Sequence, residues 1–391
     1  MYSYQFIIFG KHRPAAASVL RARIGQRIAE LNIDLNAVRF FDETTVSLRD
    51  PRAATVAAYF GVPGIKNANA DLEALIGNSI LVLPLVPSLD NFTASVPDSL
   101  LPINGSSWDE TEEATERAVS VLFEGLSLLR STRRLFLSYL RKETTGIAIQ
   151  LFELFEKYGF DVFLDTHSVR PGEQFQEVLW HRLADTDVVV ALDSPTFESS
   201  RWCGEEMANA RTTSVQVLRL LWPGKKLLGP TSLNEYIELV PSGFQDPNLQ
   251  VGDAARFTDV IEKKLVATVE SLRSRALAAR HTYLAAEFAA EAKSLGYSAV
   301  MQPERFLSLE RKDGSFLAAV PSIGVPDALR YHEVEDMLDK HSRKHNDVVL
   351  LFDNRGIMRR WLAHLGWLNR QVSNVKSLSV SEIETFLRSK A

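Results

Sequence analysis

Residues 183–210 read LADTDVVVALDSPTFESSRWCGEEMANA. The core of the stretch, DVVVALDS (187–194), is apolar and β-branched with no polar alternation, the pattern of a strand covered on both faces. Ser194 and Pro195 break it, and SSRWCGEEMANAR (199–211) follows with helical spacing. A two-sided strand leading at once into a helix predicts a parallel sheet with crossover helices.

Reading outward repeats the rhythm. Upstream stand RRLFLSY (133–139) as a strand, GIAIQLFELFEKYG (146–159) as a helix, FDVFLD (160–165) as a strand and PGEQFQEVLWHRLADT (171–186) as a helix. Ile147, Leu151 and Phe155 share one face of the first helix, and Gly159 stops it. Downstream, SVQVLRLLW (214–222) gives a fourth strand. Four strands alternating with helices predict a flavodoxin-like α/β sheet for residues 132–253.

Two flanking α/β units are expected, at 1–131 and 254–391. The first opens with the strand YQFIIFG (4–10), a helix carrying Leu20, Ile24, Ile28 and Leu31, the strand VRFFD (38–42), and then helix and strand over 70–86. A helix over 108–129, acidic at its start and apolar at Val119, Leu122, Leu126 and Leu129, is expected to connect and pack against a neighbouring domain. The last unit follows a long helical stretch over 255–296, which reads as one helix or two. It contains the strand DVVLLFDNRG (347–356), a helix over 357–368 and a capped terminal helix SEIETFLRSK (381–390).

Composition narrows the function. The 391 residues are 46% apolar and 24% charged, with a net charge of −5, and so lack the basic excess that nonspecific nucleic-acid binding needs. The single cysteine, Cys203, admits neither an intrachain disulfide nor a cysteine-based metal centre, which fits a reducing cytoplasm. The N-terminal apolar run has no preceding basic residue and reads as a strand, and no apolar stretch reaches the roughly 20 residues of a membrane span.

Ligands of open parallel sheets sit beyond the carboxyl ends of the strands. There the central unit places Tyr139, Arg141, Lys142 and Glu143, then Asp165, Ser168 and Arg170, then Ser194 through Glu206. At about 100° per residue, Cys203, Met207 and Ala210 share the inner helix face. Glu206 then lies about 50° from the centre of that face and Glu205 about 150° away, so Glu206 stands beside Trp202 and Glu205 faces water.

These pieces in this order, FLSYLRKE (136–143), GFDVFLDTHSVRPGEQF (159–175) and LADTDVVVALDSPTFESSRWCGEEMANA (183–210), resemble a Toll/interleukin-1 receptor (TIR) domain. The resemblance implies that Glu206, the glutamate of the WCxxE pattern, is essential for cleaving the nicotinamide–ribose bond of NAD⁺. It implies NAD⁺ as substrate with no further cofactor and no metal, and a site to which Tyr139, Asp165, Trp202 and Arg141 contribute. It implies that DTHSVRPGEQF (165–175), with Arg170, Pro171, Gly172 and Phe175, packs against a second copy, so that activity follows self-assembly. In bacteria such proteins act in anti-phage defence, with the flanking units sensing a trigger. Whether water or the adenine attacks the ribose, giving ADP-ribose or a cyclic product, stays open. Two competing readings are a non-catalytic TIR adaptor and a nucleoside transferase with a carboxylate nucleophile.

Weaker signals lie outside this unit. Lys11, His12 and Arg13 precede a helix and could hold a phosphate. His341 and His345, spaced i, i+4 on an expected helix, could chelate a metal with Glu333 or Asp336, although such pairs are more often surface residues. Asp353, Asn354 and Arg355 end a strand where a ligand could sit.

Overall fold

The computed structural model describes residues 4–64, 70–164, 175–197, 215–225, 235–339, 341 and 343–389. The chain divides into two compact units, one of residues 1–132 with 259–275, the other of 133–258 with 276–391.

In the first unit β1 (Tyr4–Phe9), β2 (Val38–Phe41), β3 (Ala54–Phe60), β4 (Leu81–Val86) and β5 (Ser106–Ser107) form a parallel sheet in the order β2-β1-β3-β4-β5. This is the flavodoxin-like order. Its helices are α1 (Pro14–Glu30), α2 (Ala70–Gly77), the one-turn α3 (Phe92–Ser95) and α4 (Glu112–Gly125). Pro14 starts α1 where a missing N–H does no harm, and Thr111 caps α4 by accepting from the Ala114 amide. The expected role of α4 as a connector is corrected: it packs on α1, β3 and β4 within this unit, and Val119, Leu122 and Phe123 are buried there. Arg27 of α1, wholly buried, is neutralised by Glu116 of α4 and Glu30.

The second unit holds two sheets. In the first, β6 (Arg133–Ser138), β7 (Phe160–Leu164), β8 (Val188–Asp193), β9 (Gln216–Leu221) and β10 (Glu235–Glu238) run parallel in the order β10-β9-β8-β6-β7. Read from the other edge this is again the flavodoxin-like order, with one strand, β10, beyond the four expected. The helices α5 (Arg141–Lys157) and α6 (Phe175–Ala184) cross over between β6, β7 and β8. Phe136, Phe163, Leu179, Leu183 and Val189 build one of its cores.

A single helix, α7 (Asp259–Ser294), covers the long stretch that the sequence left as one helix or two. Its residues through Arg275 belong to the first unit and the rest to the second.

The last sheet contains β11 (Ala299–Met301), β12 (Leu307–Glu310), β13 (Phe316–Pro321), β14 (Asp347–Phe352) and β15 (Val375–Ser379) in chain order. The first three strands pair antiparallel, and β13, β14 and β15 are parallel. α8 (Ala328–Asp339), α9 (Arg359–Gln371) and α10 (Ile383–Ser389) complete the unit. The terminal cap sits earlier than SEIETFLRSK suggests, with a capping box between Ser379 and Glu382. Among the described residues no helix is long and apolar enough to cross a membrane.

Candidate functional site

In the β10-β9-β8-β6-β7 sheet the strand order reverses at β6 and β8, and their carboxyl ends open the crevice where ligands of such sheets bind. β6 delivers Ser138 and Tyr139 to this edge, and both are buried. Arg141 and Lys142 follow as the exposed first turn of α5. β8 delivers Asp193 and Ser194, both fully buried.

Asp193 is the electrostatic centre of this edge. Its carboxylate accepts from Arg219 of β9 and from Lys225, and Lys225 also donates to the Ser194 carbonyl at 2.8 Å. A buried carboxylate is tolerated only when its charge is matched, and here two cations match it. The ammonium of Lys225 also stands 5.9 Å above the Phe197 ring.

Glu143 fixes the start of the chain that leaves β8. Its carboxylate accepts from the Thr196 hydroxyl at 2.7 Å and the Thr196 amide at 3.2 Å. Burial alone would raise its pKa, but the hydrogen bonds from the Thr196 hydroxyl and amide carry it below the usual carboxylate value. Its own carbonyl accepts from the Gly252 amide at 2.6 Å. The segment after Gly252 lies so close to α5 that a methyl at Gly146 would collide with the Asp253 carbonyl. Trp222 closes the far side, its indole donating to the Gln250 carbonyl at 2.8 Å, with Phe244 and Phe257 against its ring.

The edge is therefore a buried floor held by ion pairs and hydrogen bonds. The chain that carries Trp202, Cys203 and Glu206 leaves from it at Phe197. Trp202 and Glu206 themselves, with Asp165, Arg170, Pro171 and Gly172, lie outside the described residues, as does the side chain of Phe175, which opens α6. The structure thus brings Tyr139 and Arg141 to the expected edge. It likewise places Glu143 at that edge, and adds Asp193, Arg219 and Lys225, which the sequence alone did not single out. A signal for Arg219 was there: it interrupts the apolar run QVLRLL, and a cation inside a buried strand needs a counter-charge.

The weaker signals resolve differently. The Lys11 amide donates to Glu43 at 2.7 Å, and Arg13 pairs with Glu110 at 2.9 Å. His341 and His345 follow α8 instead of lying on it, which corrects the helical spacing read from sequence. Both rings meet Phe306 edge-on, and His345 shares a hydrogen bond with Ser308. Asp353, Asn354 and Arg355 stand at the carboxyl end of β14 as expected. Among the described residues no group of three or more His, Cys, Asp or Glu is placed to hold a metal.

Comparison with known proteins bears on this edge directly. Residues 135–246 match the family model of the TIR domain. No protein of curated function matches the chain. Among solved structures it is similar to the TIR domains of the activated Roq1 resistosome directly recognizing the pathogen effector XopQ, at 19% identity over 38% of this chain and 82% of that one, with a TM-score of 0.23. It is also similar to the C-terminal domain of glucosamine-fructose-6-phosphate aminotransferase from Francisella tularensis, at 10% identity over 71% of this chain and 84% of that one, with a TM-score of 0.21.

Proposed function

Residues 135–246 are a TIR domain, and from that premise we propose that the chain is an NAD⁺ glycohydrolase with Glu206 as its essential carboxylate. The observation that carries the reading is the WCxxE pattern at 202–206, inside the matched family segment and on the chain leaving β8 at the strand-order switch.

The chemistry asks for few groups. The C1′–N bond of the nicotinamide ribose breaks heterolytically, and nicotinamide keeps the electron pair and leaves neutral, so it needs no acid. Positive charge spreads over the ribose C1′ and ring oxygen. The Glu206 carboxylate stabilises that charge and holds the ribose hydroxyls. Water then attacks C1′ and gives up a proton, yielding ADP-ribose; attack by the adenine gives a cyclic product instead. Asp193, Arg219 and Lys225 hold the end of β8 rigid, and Glu143 ties down Thr196. A carboxylate carried on the next segment then starts from a fixed floor. The segment 165–174 between β7 and α6 is proposed to contact a second copy and complete the site, with a trigger acting through the flanking α/β parts.

The test is nicotinamide release from NAD⁺ over a range of protein concentrations. Glu206→Gln is expected to reduce the rate at least about 100-fold, Glu205→Gln to leave it, and specific activity to rise with protein concentration. Absence of turnover in the wild-type chain at every concentration rejects the enzyme in favour of an adaptor.

A further inference from the structure

α6 belongs to the TIR sheet in sequence, yet its far end is held by the last sheet. Ala184 lies in the same buried cluster as Phe306, Val320, Leu350 and Phe352. Arg280 of α7, buried, donates to the Thr186 carbonyl at 2.8 Å and the Ala184 carbonyl at 2.7 Å, and so caps the end of α6. The Val325 amide donates to Asp185 at 3.2 Å, and the His181 ring stacks on Trp361 at 5.4 Å. Gly356, with φ +78°, passes so close that a methyl there would sit 3.2 Å from the Trp180 carbonyl. The loops after β13 and after β14 therefore both grip α6.

The same two loops line a shallow cleft, open to solvent, at the carboxyl ends of the parallel strands β13 and β14. Its wall includes Arg280, Tyr283, Ser322, Ile323, Gly324 and Asp353. Arg355 holds the Asp353 carboxylate through Nε at 2.9 and 3.0 Å and through Nη2. Its guanidinium carbon lies 5.6 Å from the Tyr283 ring centre. The Nη1 edge of Arg355 makes no hydrogen bond among the described residues, and 47% of the side chain is exposed. A guanidinium already oriented by a carboxylate presents its free edge to a planar or tetrahedral oxyanion at little entropic cost. The carboxylate accepts from hydroxyls, and the ring offers a flat face.

We propose that this cleft binds a small phosphate-bearing molecule with neighbouring hydroxyls, a nucleotide or a sugar phosphate. Its phosphate lies on Arg355 and its hydroxyls on Asp353, and the bound molecule tightens the two loops on α6. Because α6 directly follows the segment 165–174, the ligand reports to the region expected to assemble. The link to NAD⁺ cleavage rests on the function proposed above; the binding does not.

Binding of AMP, ribose 5-phosphate and inorganic phosphate to the full chain by calorimetry tests this, in the wild type and in Glu206→Gln. Saturable binding of AMP or ribose 5-phosphate is expected in both, weakened at least about tenfold by Arg355→Gln. AMP alone identifies a nucleotide, and ribose 5-phosphate alone identifies a sugar phosphate. Should Arg355→Gln lower the melting temperature, Arg355→Lys replaces it and should also weaken binding, since lysine lacks the bidentate edge. Hydrogen exchange over 175–184 should slow on binding. Three results overturn the site: no saturable binding, binding indifferent to both Arg355 variants, or inorganic phosphate binding as tightly as the larger probes. Binding without slower exchange in α6 overturns the coupling.

Discussion

Asp193→Asn keeps the shape of the side chain at the end of β8 and removes its charge. Arg219, at 4% exposure, then loses the Asp193 carboxylate, whereas Lys225, at 14%, can turn outward. Breaking a buried ion pair from one side costs about 3–5 kcal/mol. The partial escape of Lys225 places the expectation at about 3–4 kcal/mol. For a unit of this size each kcal/mol moves the melting temperature about 2–4 °C, so the shift should be about 6–16 °C. Arg219→Met is expected to cost about half as much, because Asp193 keeps Lys225 and the methionine fills the space. Thermal melts by circular dichroism and urea titrations by tryptophan fluorescence read both variants. An Asp193→Asn chain within about 1 kcal/mol of wild type refutes the reasoning. So does an Arg219→Met chain less stable than Asp193→Asn.

Burial, with Arg182, Arg360 and Arg134 nearby, lowers the His181 pKa to about 4, so the folded chain holds it neutral where the unfolded chain protonates it. The stability this contributes is present above about pH 6.5 and is lost as pH falls toward about 4, at up to about 1.4 kcal/mol per pH unit. His181→Phe should flatten the fall in urea midpoint between pH 7 and pH 5. Gly146→Ala should destabilise by about 1–3 kcal/mol and expose the segment after Gly252 to limited proteolysis. On the proposed function, Glu206→Gln should lower nicotinamide release at least about 100-fold while leaving the melting temperature of the chain unchanged, which separates a lost reaction from a lost fold.

The sequence was most informative where the chain is apolar on both faces. DVVVALDS and DVVLLFDNRG are runs that only a covered strand explains, and both are strands here. The alanines of β3, ATVAAYF, carry little hydrophobic signal, although the strand is central to its sheet. Without β3 and the two-residue β5, the shared strand order of the first two sheets could not be read. β10, EYIE, is a short edge strand with one buried side chain, too weak to stand out. For α4, amphipathic periodicity says that one face is covered but not by what. At the site, the order of strands and loops was legible from spacing. The Asp193–Arg219–Lys225 group was not, since it joins residues 26 and 32 apart through the register of β8 and β9. Register across a crossover is set by tertiary packing, which local pattern does not encode.

The membership of α7 has a practical corollary for anyone dissecting this protein. Cutting after the TIR sheet, near residue 258, leaves an N-terminal fragment stripped of Arg273, which pairs with Glu124 at 2.8 Å, and of Lys263, which pairs with Asp109 at 3.1 Å. It also takes away Leu265, Val266 and Val269, whose side chains are fully covered in the intact chain. Residues 1–132 expressed alone should therefore be sticky and poorly behaved, and supplying 259–275 as a separate peptide should restore them. The first compact body is discontinuous along the chain, with the TIR sheet spliced through it.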